Sequence, residues 1–219
     1  MDIKICCMAS VDEARLAHAA GATAVGLVGE MPSGPGVIGV DAAASIVQAL
    51  PSDIDTFFLT SQTRAGEIEQ ELKQCGANTV QIVRHIEPQE HERLCAALPQ
   101  VRRVQVVHVE DESALSLIER YGQVVDAFLL DSGRTRGAVP QFGGTGSVHD
   151  WSISQRFVEA THLPVFLAGG LSSNNIFDAI AAVRPAGVDV CSGVRTDGVL
   201  NPAKLQAFMS EIKRAAERV

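Results

Sequence analysis

The 219-residue sequence predicts a (β/α)8 barrel built as a single domain over residues 1–219. Short apolar runs of strand length alternate with amphipathic segments of helix length from one end of the chain to the other. The strand segments are almost entirely apolar, which is typical of a parallel sheet with both faces buried. Eight such units in 219 residues leave little room for additional structure, which favours the barrel. An open doubly wound sheet is the alternative that the same alternation permits.

The eight predicted strands are apolar runs rich in Val, Ile, Leu and Phe, residue types that suit buried strands. They lie near residues 4–6, 24–28, 56–59, 79–83, 104–109, 127–130, 165–168 and 188–190. The eight predicted helices follow the strands one by one. They lie near residues 11–20, 41–50, 65–75, 89–98, 113–121, 154–161, 174–183 and 202–218. Their apolar positions recur at helical spacing, as Leu115, Ile118 and Tyr121 do in the fifth helix.

Charge and hydropathy exclude several classes of function. The formal net charge is −8, and the chain has no basic stripe, so we expect no binding to nucleic acid or to an anionic membrane surface. No window of about 18 apolar residues predicts a membrane span. The amino terminus already has a strand pattern and lacks the features of a signal peptide. These patterns predict a cytoplasmic protein, either a monomer or a homodimer.

The cysteines predict free thiols rather than disulfides or a zinc site. The chain has five, which is an odd number, and they are scattered without paired CxxC motifs. This distribution is typical of reduced thiols in the cytoplasm. His, Asp and Glu are not clustered at ligand spacing either, so the sequence predicts no metal site.

In a barrel, the functional residues lie at the carboxyl ends of the strands. An acid, Asp131, ends the sixth predicted strand, and a glycine-rich segment at 143–146 follows. Further glycine turns, Gly169-Gly170 and Ser192-Gly193, follow strands seven and eight, where barrels commonly bind phosphate. The remaining strand ends supply Cys6 and Cys7, Gly29 and Glu30, Thr60 and Ser61, Arg84 and His85, and Glu110 and Asp111. The expected ligand is therefore a small phosphorylated molecule.

Several side chains near this predicted mouth have weaker functional signals. Because side chains alternate along a strand, Cys7 is predicted to face the opposite way from Cys6. Arg195 follows the last glycine turn and is a candidate to lie near a phosphate. His85, His108 and His149 are each interpreted as packing or surface residues.

The motifs, taken together in order, resemble those of the phosphoribosylanthranilate isomerase family of tryptophan biosynthesis, and the likeness covers essentially the whole chain. The segments that carry it are Lys4-Ile5-Cys6, Asp126-Ala127-Phe128-Leu129-Leu130-Asp131-Ser132, Gly143-Gly144-Thr145-Gly146 with Asp150-Trp151, Leu167-Ala168-Gly169-Gly170-Leu171 with Asn175, and Gly187-Val188-Asp189-Val190-Cys191-Ser192-Gly193-Val194.

The resemblance implies an Amadori rearrangement of an aminoaldose phosphate without a cofactor or a metal. It implies that Cys6 is the general base and Asp131 the general acid. It also implies that Gly144, Gly146, Gly169, Gly170, Ser192 and Gly193 bind the phosphorylated substrate. Ring opening requires a proton delivered to the furanose oxygen, which a partly desolvated carboxyl can supply. A thiolate can then remove the proton from the ribose carbon beside the imine, provided that nearby positive charge favours it.

The sequence departs from the family pattern in three places. Cys7 replaces the usual glycine after the catalytic cysteine. In the loop after the second strand, Gly36 occupies the place of an arginine that helps to hold the substrate. The fourth strand ends Gln81-Ile82-Val83-Arg84, with Val83 where the family usually has a histidine. Arg84, Arg134 and Arg136 are the candidates to replace the missing arginine as a substrate clamp.

These departures leave two other functions open. One is an isomerase or aldolase that acts on another sugar phosphate on the same barrel. The other is a barrel without catalytic activity that binds a phosphorylated metabolite.

Overall fold

The fold is a closed barrel of eight parallel strands in the order β1 to β8, as seen in a computed structural model that describes residues 1–133 and 149–218. The barrel prediction is therefore confirmed, and the open-sheet alternative is wrong. The strands are β1 (Asp2–Ile5), β2 (Ala24–Val28), β3 (Asp55–Thr60), β4 (Thr79–Ile82), β5 (Arg102–His108), β6 (Ala127–Asp131), β7 (Val165–Leu167) and β8 (Gly187–Val190).

Helices follow the strands and cover the outside of the barrel. They are α1 (Val11–Ala19), α2 (Val40–Ala49), α3 (Ala65–Cys75), α4 (Pro88–Ala97), α5 (Ser116–Tyr121), α6 (Trp151–Ala160), α7 (Ile176–Val183) and α8 (Pro202–Ala216). A short hairpin, β9 (Arg195–Thr196) and β10 (Val199–Leu200), precedes α8. No helix in the described part of the chain is long and apolar enough to cross a membrane.

Local hydrogen bonds shift two predicted helix starts. Helix α6 begins at Trp151 rather than near residue 154, because the Asp150 side chain accepts a hydrogen bond from the Ser152 N–H at 2.9 Å and caps the helix there. Helix α7 begins at Ile176 rather than near residue 174. The Asn175 side chain instead donates to the Gly170 carbonyl and accepts from the Ser172 N–H, which keeps the preceding residues in a turn.

The core has two compartments, as the alternation of side chains in a closed barrel requires. The larger one lies between strands and helices and includes Ile5, Phe58, Phe128, Phe157 and Phe208. The smaller one fills the barrel itself. It is made of Cys6, Cys7, Ala24, Val28, Phe57, Leu59, Val83, Val104, Val106, Ala127, Leu129, Phe166 and Ala168. The inner compartment ends at the mouth of the barrel, where the site residues lie.

A buried ion pair lies across the seam where β1 meets β8 and closes the barrel. Lys4 and Asp189 are register partners in this strand pair, and the Lys4 Nζ is 2.9 Å from the Asp189 Oδ2. The Lys4 side chain is fully buried and its Nζ lies 5.3 Å from the centre of the Phe57 ring. Burial is the largest single effect and disfavours the ammonium, but the Asp189 carboxylate with the neighbouring Cys6 and Cys7 together outweigh it and raise the pKa of Lys4 above its usual range. Lys4 is therefore a permanent positive charge inside the barrel.

A second buried pair, Glu13 with Arg195, holds the loop after β1 from outside the barrel. The Arg195 guanidinium contacts both carboxylate oxygens of Glu13 at 3.1 Å and donates to the carbonyls of Cys6, Cys7 and Gly198. Arg195 is 7% exposed, and both of its terminal nitrogens are directed at these partners, so it braces the loop after β1. Its suggested place near a phosphate stays a prediction.

We expect Glu13→Gln to lower the free energy of unfolding at pH 7 by about 1–3 kcal/mol, the range for losing hydrogen bonds to a charged group. Burial raises the pKa of Glu13. Hydrogen bonds from Arg195 and from the N–H groups of Leu200 and Ala9 have the larger combined effect in the opposite direction, so the pKa lies below its ordinary value. A lowered pKa stabilises the fold above the unfolded-state pKa, and this stability is lost as the pH falls through the folded-state pKa. Urea unfolding at pH 7 and near pH 3 should therefore show that the difference in unfolding free energy between wild type and Glu13→Gln is smaller at the lower pH. A constant difference would contradict this account.

Candidate active site

One cavity opens at the carboxyl ends of the barrel strands and brings together most of the predicted site residues. Cys6, directly after β1, and Asp131, at the end of β6, both line it, as do residues of both described glycine turns. Its full lining is Cys6, Cys7, Val28, Met31, Ser33, Gly34, Pro35, Leu59, Gln81, Val83, Val106, His108, Asp131, Ala168, Gly169, Gly170, Leu171, Asp189, Val190, Cys191 and Ser192. The cavity thus has acidic and thiol groups on one side and an apolar wall on another.

Cys6 lies directly after β1 and is 5% exposed. Its N–H donates to the Val190 carbonyl at 2.8 Å, which extends the β1–β8 ladder by one residue. A Cβ atom at Gly26 would be 2.6 Å from the Cys6 Sγ and 3.1 Å from the Lys4 Nζ. The thiol and the ammonium are therefore at most about 6 Å apart. The lack of a side chain at Gly26 makes room for both.

Asp131 ends β6 and is half-buried at the edge of the cavity. Its Oδ1 accepts a hydrogen bond from the Ser132 N–H at 2.7 Å. Burial raises the pKa of Asp131 above that of an ordinary aspartate, and the Asp189 carboxylate adds to the rise, although His108 and Lys4 oppose it. Asp131 therefore keeps its proton to a higher pH than a solvated carboxyl does, as a general acid requires.

Two polar residues of the cavity have no functional role in the sequence-based interpretation, which took His108 for a packing or surface residue and assigned nothing to Gln81. His108 is the last residue of β5, pairs in register with Asp131 and places its Nε2 3.0 Å from the Val83 carbonyl. Gln81 on β4 is buried, and within the described residues its Oε1 has no hydrogen-bond partner. The sequence could have indicated both residues, because each continues the alternation of inward-facing side chains along its strand.

Cys7 also lines the cavity, so the prediction that it faces away from Cys6 is wrong. Its φ of 65° is in the left-handed region, which breaks the alternation of the strand. The Cys7 Sγ lies 2.7 Å from the Sγ of Cys191, which follows β8. Gly36 packs against Cys7, since a Cβ atom at Gly36 would be 2.5 Å from the Cys7 Cβ. A side chain at position 36 would need the space that Cys7 occupies.

The glycine turns after β7 and β8 touch each other beside the cavity. Gly169 and Gly170 have φ of 85° and 63°, and their N–H groups, with that of Leu171, donate no hydrogen bond within the described residues. A Cβ atom at Gly193 would be 2.0 Å from the Leu171 carbonyl oxygen, so only glycine allows the two turns to approach this closely. Undonated N–H groups beside a cavity can bind an anion.

The other predicted site residues have different outcomes. Gly144, Gly146, Arg134 and Arg136 lie outside the described residues. Arg84 is not among the described residues that line the cavity. His149 binds the Ser154 Oγ at the start of α6, and burial lowers its pKa to about 4, which agrees with a packing role. Within residues 1–133 and 149–218, no group of His, Cys, Asp and Glu is arranged to hold a metal ion.

Comparison with known proteins gives one consistent result. The sequence profile of the N-(5'phosphoribosyl)anthranilate (PRA) isomerase family matches residues 4–211. The N-(5'-phosphoribosyl)anthranilate isomerase of Methanocella arvoryzae is 32% identical over 195 residues, which cover 89% of each chain. A second relative, N-(5'-phosphoribosyl)anthranilate isomerase 1 of Methanosarcina mazei, is 33% identical over 97% of this chain and 95% of its own. The crystal structure of phosphoribosyl anthranilate isomerase from Thermotoga maritima superposes with a TM-score of 0.81 at 27% identity, over 98% of this chain and 99% of that one.

Proposed function

Since this chain belongs to the N-(5'-phosphoribosyl)anthranilate isomerase family, we propose that it converts N-(5'-phosphoribosyl)anthranilate to the carboxyphenylamino-deoxyribulose phosphate, with Asp131 as the general acid and Cys6 as the general base. The observation that carries this proposal is the shared cavity. Cys6 and Asp131 come from β1 and β6, and both line it together with the turns after β7 and β8. The reaction requires an acid, a base and a phosphate site that one small substrate can contact at the same time.

Asp131 acts first, by donating its proton to the furanose ring oxygen as the C–O bond breaks. The nitrogen lone pair forms the imine, so the opened substrate is an iminium ion with a free hydroxyl. Desolvation at the mouth supports this role, because it raises the pKa of Asp131 and so favours the protonated carboxyl. Ser132 holds the carboxyl by its N–H, which leaves the other oxygen, Oδ2, for the substrate.

Cys6 acts second, as a thiolate that removes the proton from the ribose carbon beside the imine. The electron pair moves toward nitrogen and produces an enolamine, which tautomerises to the aminoketone. The Lys4 ammonium lies at most about 6 Å from the Cys6 Sγ, so in this proposal a positive charge is close to the base. Asp189 holds Lys4 in place, with its Oδ2 2.9 Å from the Lys4 Nζ.

The phosphate and the aromatic ring occupy opposite sides of the cavity in this proposal. The N–H groups of Gly169, Gly170 and Leu171, with the turn at Ser192 and Gly193, hold the phosphate at the end that leads into α7. The aromatic ring of the substrate packs on the apolar wall formed by Val28, Met31, Leu59, Val83 and Val106. Such a wall fits a planar aromatic ring better than it fits a plain sugar phosphate.

The anthranilate carboxylate has no arginine in the described cavity lining. Position 36 is a glycine packed on Cys7, and position 83 is a valine in the apolar wall. We therefore assign the carboxylate clamp to Arg134 or Arg136, which follow Asp131 in the chain, with Arg84 as the next candidate. The same gap favours the second candidate function, an isomerase or aldolase of another sugar phosphate, because such a substrate needs no carboxylate clamp.

The function is tested by rescue of a tryptophan auxotroph that lacks this isomerase. The wild-type chain should restore growth, and Asp131→Asn should not, because an amide cannot deliver the proton and losing a general acid costs about 10²–10⁴ in rate.

In wild type, kcat/KM should fall as the pH rises through the raised pKa of Asp131, since only the protonated form is active. Purified Asp131→Asn should unfold at the same temperature as wild type or higher at pH 7, and the difference should vanish in acid, because a raised pKa means that ionisation opposes folding. Rescue by the variant would rule out Asp131 as the acid.

Cys6→Ser should lose nearly all turnover, whereas Cys7→Ser should keep most of it. A hydroxyl is too weak an acid to serve as a base at neutral pH. The Cys6 thiol is near the Lys4 charge, whereas the Cys7 thiol is in contact with Cys191. Steady-state kinetics of the two purified variants, with their circular dichroism compared to wild type, measure this. Equal loss in both, or loss in Cys7→Ser alone, would exchange the two assignments.

Gly193→Ala should raise KM for the phosphorylated substrate at least tenfold, worth about 1.4 kcal/mol of binding. The added methyl would collide with the Leu171 carbonyl and force the two turns apart. Gly66→Ala in helix α3 is the matched control, because a Cβ atom there meets nothing within 4 Å. The KM of the control should equal that of wild type. An unchanged KM in folded Gly193→Ala would remove this turn from the phosphate site.

Replacing Arg134 and Arg136 together by alanine should raise KM for phosphoribosylanthranilate at least tenfold, about 1.4 kcal/mol, because an arginine can bind a carboxylate through two parallel hydrogen bonds. Arg84→Ala is the comparison variant, and its KM should change by less than the double variant's. Wild-type activity that is indifferent to both arginines would transfer the clamp to Arg84. No isomerase activity in folded wild type would favour the other sugar phosphate.

A further inference from the structure

We propose that Cys7 and Cys191 are a modification site, a thiol pair that a low-molecular-weight disulfide converts into a reversible disulfide across the mouth of the barrel. The two Sγ atoms are already 2.7 Å apart, and a disulfide needs a separation of about 2.03–2.05 Å. Closing this gap requires the two sulfur atoms to approach each other by less than about 1 Å. Both thiols line the cavity, so a small reagent reaches them through the mouth.

Packing around Cys7 directs its side chain toward Cys191. Its backbone is in the left-handed region, at φ 65°, which residues with a side chain rarely adopt. The Arg195 guanidinium binds the carbonyls of Cys6 and Cys7 and holds that conformation. On the other side, Gly36 leaves room for Cys7, since a Cβ atom at position 36 would be 2.5 Å from the Cys7 Cβ and 3.2 Å from its Sγ. The thiol pair is therefore preorganised by its surroundings.

The chemistry begins at Cys191, the more exposed member of the pair. The contact with Cys7 lowers the pKa of Cys191, and Arg195 lowers it further although burial opposes this, which favours the thiolate. The Cys191 thiolate attacks the reagent R–S–S–R, forms a mixed disulfide and releases one thiolate. Cys7 then loses its proton and attacks the Cys191 sulfur, which releases the second thiolate. Two protein thiols are oxidised, the reagent is reduced to two thiols, and the two protons end on them.

The disulfide would constrain the active site at two places, next to Cys6 and next to the turn after β8. Cys7 follows Cys6, and Cys191 precedes Ser192 and Gly193, so the cross-link ties the base to the phosphate turn. We expect the oxidised protein to lose most of its isomerase activity and to regain it with dithiothreitol. This consequence rests on the proposed function, whereas formation of the bond does not.

The test treats the full-length protein with 2-hydroxyethyl disulfide and measures intact mass, free thiols and activity. Wild type should lose two hydrogen atoms in mass and two of its five thiols, with a cross-link between the peptides of Cys7 and Cys191. Cys7→Ser should stop at the mixed disulfide on Cys191, and Cys191→Ser should form no cross-link. Cys6→Ser should still cross-link, which separates this result from loss of activity.

Other outcomes would overturn the proposal. In one, wild type keeps all five thiols under conditions where Cys7→Ser forms the mixed disulfide. In the other, the cross-link disappears in Cys6→Ser, which would show that it involves Cys6. Full activity in cross-linked wild type would overturn the effect on the active site. If reduced wild type has no isomerase activity, the proposed function fails, and the mass measurement still decides whether the disulfide forms.

Discussion

The β1–β8 seam is the constraint on which the active site depends. A closed barrel must join its first strand to its last, and here the joint contains Lys4 and Asp189, register partners that form a fully buried ion pair. Burying two charges is expensive, and the pair tolerates no slip, because a shift by one residue would turn each side chain to the other face of the sheet. The pair therefore specifies the register more than it adds stability.

The register of the seam determines where the thiols lie. Cys6 is two residues after Lys4, and Cys191 is two residues after Asp189, so both share the inward direction of the ion pair. The Lys4 ammonium and the Cys6 thiol thus lie two residues apart at the carboxyl end of β1. Gly26 on the neighbouring strand leaves the space that both side chains need.

Two departures from the family pattern prove to be one structural feature. The family resemblance predicts a glycine at position 7 and an arginine at position 36, whereas this chain has Cys7, with a positive φ, and Gly36. The two residues are in contact, and a side chain at position 36 would overlap Cys7. The loop after β2 therefore has no room for an arginine side chain at position 36 while Cys7 keeps its place. This accounts for the absence of a clamp at position 36, and it directs the Cys7 thiol to Cys191.

The sequence by itself determined the elements of this protein, because periodicity is local. Runs of apolar residues predicted eight strands and eight helices within a few residues, and their carboxyl ends pointed to Cys6, Asp131, Gly169, Gly170 and Ser192 as neighbours. Pairs that join distant parts of the chain were decided by the tertiary structure alone. Lys4 meets Asp189 and Glu13 meets Arg195 only because the barrel closes, and the inward turn of Cys7 follows from a backbone angle that strand alternation does not encode. A local pattern records which face a residue occupies within its own element, whereas the partner across a seam depends on register, which only the packed barrel specifies.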